Sequence, residues 1–236
     1  MSADFKLSAS TFDEYSAEYD AALTKGIRVS GENKFYFASG RIDFLKSCLA
    51  GLGETPERVL DFGCGVGTAA PYLLALPATK QVLGIDVSPR SLEVARKLCT
   101  SERASFQLLD AFKPAQDRDL AFCNGVFHHI PPHERASAIK YVHGSLRPGG
   151  LFALWDNNPW NPGAMYVMKK IPFDHDAVPL SCTEAAAALR TGGFEIVRTD
   201  FMFIFPKLLK ALRGIEPLVS RLPLGAQYQV LARRKR

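Results

Sequence analysis

The stretch Arg58-Val59-Leu60-Asp61-Phe62-Gly63-Cys64-Gly65-Val66-Gly67 decides the fold. Residues 58–62 form a short apolar run, the pattern of a buried strand. The run ends in Gly63, Gly65 and Gly67, at alternate positions. Glycine lets the chain turn tightly and lets a ligand approach with no β-carbon in the way. A helix is expected over 68–76, stopping before Pro77. The first N–H groups of such a helix have no intrahelical partner and suit a carboxylate or a phosphate. A strand, turn and helix of this kind fits a nucleotide-like ligand at the carboxyl end of a strand. It also fits a plain tight connection, so the flanking sequence has to decide.

Downstream, the pattern repeats. Residues 81–86 (QVLGID) read as a second strand, and Ser88-Pro89 opens a helix to about 99, with Ser88 as N-cap and Pro89 in the first turn. Residues 105–109, 120–123 and 151–155 read as three more strands, with a helix over 132–146 closed by Pro148-Gly149-Gly150. Strands alternating with helices imply βαβ units and a parallel sheet covered on both faces, a doubly wound α/β fold. The last third differs. A helix is expected over 181–190, with Ser181 or Thr183 near its cap, and strands over 194–203 and 227–232. No helix obviously separates these two strands as a crossover, so they are expected to pair antiparallel at one edge. Upstream, Phe12, Tyr15 and Tyr19 fall on one helix face, and a second helix is expected over 41–52.

Composition sets the outer limits. The chain has 236 residues, 47% of them hydrophobic and 22% charged, which fits one large single domain with a sizeable core. The net charge is +5, but Arg233, Arg234, Lys235 and Arg236 supply four of those charges. That leaves no broad basic field for nucleic acid, and the tail itself reads as a solvated, frayed end. Five cysteines without a CxxC pair argue against a disulfide framework or a structural zinc site, and no metal-ligand set stands out. No start resembles a signal peptide and no apolar run approaches the roughly 20 residues of a membrane span. The expectation is a cytoplasmic protein without stable membrane insertion.

Carboxylates mark the next two strand ends. Asp86 ends the second strand, 19 residues after Gly67. A carboxylate there can accept two hydrogen bonds from a ribose diol. Asp110 ends the third, where it can accept from an exocyclic amine of adenine, with Ala111 and Phe112 close to the ring. Asp61, inside the end of the first strand, is expected to hold the turn and face a ligand ammonium group.

The ordered set VLDFGCGVG, LGIDVSP, LLDAF, FCNGVFHHI (122–130) and Leu146-Arg147-Pro148-Gly149-Gly150 resembles the successive motifs of class I methyltransferases that use S-adenosylmethionine (SAM). The resemblance covers about residues 55–156. Residues 12–20 also resemble the N-terminal helix that closes over SAM in small-molecule members. The resemblance implies a Rossmann-like, mostly parallel seven-stranded sheet with an antiparallel C-terminal strand. It divides one domain into an N-terminal helical cap (1–54), a SAM-binding core (55–160), and an acceptor-side insertion with the antiparallel edge (161–236). It implies that Gly63, Cys64 and Gly65 approach the methionine part of SAM, and that Asp86 and Val87 lie at the ribose. Asp110, Ala111 and Phe112 are then at the adenine, Asn124 and Gly125 at the ammonium, and Tyr15 or Tyr19 over the cofactor. The product is S-adenosylhomocysteine, and the implied partner is a small-molecule methyl acceptor, such as a biosynthetic intermediate.

Methyl transfer from a sulfonium needs alignment and exclusion of water more than it needs a base. A base is required only where the acceptor must lose a proton. His128, His129, His133 and His175 are the candidates. His128 and His129 lie on the acceptor side by resemblance, though the histidine matching His129 often ties the loop to the next helix. His175 sits between Asp174 and Asp176, which could raise its basicity. Residues 155–162 (WDNNPWNP) are expected to line the acceptor pocket, with Trp155 or Trp160 as an apolar wall. Asn158-Pro159-Trp160 follows the fifth strand rather than the fourth, so it is not the signature of amino-methylating DNA enzymes. The apolar stretches 201–212 and 217–224 read either as a surface touching lipid or as an insertion packed over the acceptor site. Two other functions stay open. One is a nicotinamide-dependent oxidoreductase, against which stand Thr68, where a dinucleotide turn has glycine, and the lack of a Tyr-x-x-x-Lys pair. The other is a non-catalytic SAM-binding scaffold or sensor.

Overall fold

The computed structural model describes residues 26–236. Strand β1 (Arg58–Phe62) is central to a sheet of seven strands. Around it run β2 (Gln81–Asp86), β3 (Ala104–Leu108), β4 (Arg118–Asn124) and β5 (Leu146–Asn157), then β6 (Phe194–Met202) and β7 (Gln227–Arg234). Their spatial order is β3-β2-β1-β4-β5-β7-β6, with β7 antiparallel to both its neighbours and the other pairs parallel. The chain steps outward from β1 in one direction through β2 and β3. It then returns to the other side of β1 at β4. This reversal opens a crevice at the carboxyl ends of β1 and β4.

Helix α1 (Lys34–Leu52) begins seven residues earlier than the sequence pattern implies, because the Asn33 side chain accepts the Tyr36 N–H and caps it. Helix α2 (Ala70–Leu74) is shorter than expected. In α3 (Pro89–Leu98), Ser88 caps as expected, its hydroxyl accepting the Ser91 N–H at 3.1 Å. Helix α4 (Arg135–Ser145) leads directly into β5. The Pro148-Gly149-Gly150 segment therefore lies within the span of β5, as a bulge with Gly149 at φ +79° where the register against β4 shifts between Arg118 and Leu120. Helices α5 (Pro162–Met168), α6 (Cys182–Thr191) and α7 (Glu216–Val219) complete the fold. Ser181 caps α6 in a capping box with Glu184.

The strands alternate their side chains between two cores. Leu60 and Phe62 of β1 join Phe127, Phe152 and Phe194 on one face, whereas Val59 joins Leu45, Leu73, Leu92 and Trp155 on the other. The five cysteines are buried free thiols. Arg233 and Arg234 are not frayed. They belong to β7, where Arg233 pairs with Glu54 at 2.7 Å and Arg234 donates to the carbonyls of His143 and Leu146. Among the described residues no helix is long and apolar enough to cross a membrane. The expected helix over residues 12–20 lies outside the described residues.

Candidate functional site

The glycine turn is tied to the end of β2. Gly63 and Cys64 donate their N–H groups to the Ile85 carbonyl at 2.9 and 3.0 Å. The Asp86 carboxylate accepts from Gly65 N–H at 2.8 Å and from Ser88 N–H at 2.9 Å. A carboxylate oxygen can accept more than one hydrogen bond, which is the chemistry a ribose diol calls for. Gly63 and Gly65 have φ of +71° and +51°, the left-handed region that L side chains rarely adopt. A β-carbon at Gly65 would meet nothing within 4 Å, so the turn borders open space.

That space is a cleft of about 790 Å³, open to solvent, lined by Gly63, Gly65, Asp86, Val87, Asn124 and Gly125 among others. Two further features fit a charged, polar cofactor. Asp61 Oδ2 and Asn124 Oδ1 are buried and have no hydrogen-bond partner among the described residues. Burial, then the nearby Asp86 charge, pushes the Asp61 carboxyl up to about 7, with Arg41 pulling the other way. Asn124 lines the cleft, where a ligand ammonium group would supply the donor its oxygen lacks, whereas Asp61 lines neither cavity.

Other expected cofactor residues stand further off. Cys64 contributes backbone to the turn, but its thiol packs into the core beneath it against Gly84. Asp110 and Ala111 lie on an exposed 3-10 turn after β3 (Leu109–Ala111), and Leu109 is the residue of that turn that lines the cleft. Phe112 is buried against Tyr141, whose hydroxyl donates to the Leu109 and Phe112 carbonyls at 2.8 and 2.7 Å. Tyr15 and Tyr19 lie outside the described residues.

A second, larger cavity, about 1440 Å³ with the open solvent at its mouth included, adjoins the first. Its walls are largely aromatic and aliphatic: Tyr36 and Phe37 of α1, Phe203, Phe205, Val167 and Ile171. Lys34, Arg41 and Arg213 bring positive charge to it, set against Glu32, which pairs with Arg213 at 3.0 Å, and Asp174. The bend that presents Phe203 and Phe205 is held by Glu216, which accepts their N–H groups at 3.3 and 3.0 Å. Residues 203–206 thus cover this cavity, whereas Leu208, Leu209 and Leu218 point to solvent. Neither tryptophan forms the wall. Trp155 is core, packed against Phe44 and Phe203, and Trp160 is half exposed beside Phe201. From that segment Asn157 and Asn161 line the cavity instead. Asn124, Gly125 and His129 line both cavities.

The histidines separate sharply. His128 is buried and its Nδ1 is hydrogen-bonded to Asp156 Oδ1; its Nε2 lies 3.6 Å from Asp174 Oδ1. Burial opposes its charge, but Asp156 and Asp174 outweigh that and hold it up to about 10. His128 is therefore an imidazolium near neutral pH, not a base awaiting a proton. His129, with Nε2 at 3.3 Å from the same Asp174 oxygen, is pushed down to about 3 by burial and by the His128 charge. His133 has its Nε2 3.5 Å from Glu134 and is largely exposed. His175 is exposed and lines neither cavity; its neighbour Asp174 is the group that points inward. Sequence reasoning missed Asp156 and Asp174 as partners of His128. They lie 28 and 46 positions away, and no local pattern joins them.

Comparison with known proteins agrees with this geometry. Residues 59–150 match the family described as methyltransferase domain. An uncharacterized methyltransferase from Synechocystis is 32% identical over 73% of this chain and 79% of its own length. Trans-aconitate 2-methyltransferase from Methylobacterium radiotolerans is 35% identical over 43% of this chain, and the match spans 38% of that enzyme. Among solved structures, magnesium protoporphyrin IX methyltransferase from Synechocystis, with bound S-adenosylhomocysteine, has a TM-score of 0.63 at 20% identity. That alignment covers 96% of this chain and 98% of that one.

Proposed function

The chain belongs to the SAM-dependent methyltransferases, and from that premise we propose that it methylates a small carboxylic acid with an apolar body. SAM supplies a methyl group on a positively charged sulfur, so the leaving group is already activated. The protein has to hold two molecules in line and keep water out. The observation that carries this reading is the shared wall: one cavity begins at the glycine turn, the other is apolar, and Asn124, Gly125 and His129 line both. In this reading SAM occupies the first, with its ribose at Asp86, its adenine beside Leu109, Asp110 and Ala111, and its ammonium toward Asp61 and Asn124. The acceptor occupies the second, and the methyl crosses where the cavities meet.

The acceptor class follows from the histidines. His128 holds its proton to about 10, and His129 accepts one only near 3. Neither provides a base for a hydroxyl at neutral pH. A carboxylate needs none, since it already carries the nucleophilic lone pair. Positive groups in the cavity wall, Lys34, Arg41 and Arg213, outnumber the carboxylates Glu32, paired with Arg213 at 3.0 Å, and Asp174, which favours an anion, and the aromatic walls favour an apolar body. The likeness to trans-aconitate 2-methyltransferase, whose named substrate is a carboxylic acid, supports the same class. A nicotinamide-dependent reaction has no support in this family. A purely SAM-binding scaffold would have no use for an open cavity beside the cofactor cleft.

The test is turnover. Purified protein is incubated with SAM and separate panels of carboxylic acids, phenols and amines, and S-adenosylhomocysteine is quantified. Turnover with carboxylic acids is expected. Turnover with phenols or amines alone would overturn the acceptor class.

A further inference from the structure

We propose that His128, His129 and Asp174 form a binding site for a divalent transition-metal cation in the wall of the second cavity. Their ligand atoms, the two Nε2 nitrogens and Asp174 Oδ1, all lie within 4.8 Å of one another. The carboxylate oxygen is 3.3 Å from His129 Nε2 and 3.6 Å from His128 Nε2. Ligands each about 2.1 Å from one cation stand about 3.0–3.4 Å apart in octahedral or tetrahedral geometry. The two carboxylate–imidazole separations therefore match a coordination sphere to within a few tenths of an ångström, and the third separation is at most 4.8 Å.

Three independent features point the same way. Asp174 Oδ1 is buried and accepts no hydrogen bond among the described residues, although two imidazole nitrogens face it. Asp156 sits behind His128, bonded to its Nδ1, so the ring is fixed with Nε2 presented to Asp174. A carboxylate on the far nitrogen is the usual support of a metal-bound histidine. The two loops are also fastened together. The His128 carbonyl accepts the Val178 N–H at 2.8 Å, and Arg135 Nη2 donates to the Val178 carbonyl at 2.5 Å.

All three residues line the second cavity, so the coordination positions they leave vacant face the acceptor space. Two imidazoles and one carboxylate suit zinc, manganese, iron, cobalt or nickel better than magnesium or calcium. On binding, the cation takes the place of the proton on His128 Nε2, and one proton is released. Arg135 stays on the Asp156 side, its donors directed at the Phe127, Ile130 and Val178 carbonyls. The vacant positions can hold an acceptor oxygen; that use rests on the acceptor reading above, whereas the cation site stands on geometry alone.

The test needs no acceptor. Chelator-treated full-length protein is titrated with Co²⁺, following visible absorption, and with Zn²⁺ by calorimetry. One equivalent is expected, with the intense bands of a low-symmetry cobalt site. Asp174→Ala and His129→Ala are expected to lower affinity at least tenfold, and Asp156→Asn to lower it by about 10–100-fold. His175→Ala, on the surface, is expected to bind as the wild type does. SAM binding by Asp174→Ala checks that the variant folds. If it does not fold, X-ray absorption at the cobalt edge of the wild-type protein decides: imidazole scattering from two histidines supports the site, and its absence overturns it. No binding at millimolar cobalt, or equal affinity in the wild type, Asp174→Ala and His129→Ala, also overturns it.

Discussion

The Asp86 carboxylate accepts the Gly65 N–H at 2.8 Å, so the end of β2 holds the glycine turn that follows β1. Its other oxygen caps the next turn through Ser88 N–H at 2.9 Å. One side chain therefore shapes the cofactor cleft and, in the proposed placement, binds the ribose as well. Asp86→Ala removes both functions. SAM affinity is expected to fall by about 1–3 kcal/mol, the range for losing hydrogen bonds to a charged acceptor. Calorimetric titration with SAM checks this, and unchanged affinity would remove Asp86 from the ribose.

Gly63 and Gly65 share a left-handed backbone but differ in what surrounds them. A β-carbon at Gly63 would collide with Val126 Cγ2, whereas at Gly65 it would project into empty space beside the cleft. Gly65→Val is expected to abolish SAM binding while costing the fold about 1–2 kcal/mol of left-handed strain. Gly63→Ala is expected to destabilise the fold more than Gly65→Ala, and Val126→Ala to restore part of that loss. Urea unfolding of the four variants reads this directly. Equal unfolding midpoints for the two glycine-to-alanine variants would contradict the steric argument.

The legibility of this chain followed the range of its interactions. Strands β1 to β5 and the cap Ser88 could be read because each is written in neighbouring residues: an apolar run, then a glycine or a serine before proline. The antiparallel β6 and β7 could be read because the connection between them carries no long amphipathic crossover pattern; the helical turns it does contain, over Lys207–Ile215 and Glu216–Val219, are short. Where register or packing over long distances decided, the sequence was silent. Pro148-Gly149-Gly150 reads as a helix stop, and it does follow the helix, but as a bulge within β5 where the register against β4 jumps from Leu146 to Leu151. His175 between two carboxylates reads as a base, yet the loop turns Asp174 inward and leaves His175 outside. His128 was legible as a site residue. Its protonation was not, because that depends on Asp156 on the neighbouring strand β5 and on Asp174 in a distant loop.

Asp61 gives SAM binding a pH dependence of known sign. Burial and Asp86 raise its carboxyl to about 7, so below that pH it is mostly neutral. SAM carries an α-ammonium that stays charged below about 7.7. In the proposed placement the ammonium favours ionised Asp61, so binding expels a proton whenever Asp61 begins protonated. Affinity is then expected to weaken as pH falls below 7, by up to about tenfold per unit, and to weaken again above about 7.7, where the ammonium itself loses its proton. Asp61→Asn is expected to flatten the profile between pH 5 and 7. A wild-type profile already flat across that window would show that the ammonium lies elsewhere.

The pairing of His128 with Asp156 predicts opposite outcomes for two histidine environments that look alike in the sequence. Both residues of the pair are buried, and Asp156 also accepts the Asn157 N–H at 2.8 Å. Asp156→Ala leaves the His128 charge in the core with only Asp174 near it. Removing one partner of a buried pair typically costs about 3–5 kcal/mol, because the remaining charge is stranded away from water. His175, equally flanked by carboxylates, is exposed, and His175→Ala is expected to change stability by less than about 0.5 kcal/mol. Urea unfolding at neutral pH, in the presence of a chelator, separates the two. A similar small loss in both would mean that the buried pair holds nothing together, and that the second cavity keeps its shape through Arg135 and its three carbonyl contacts instead.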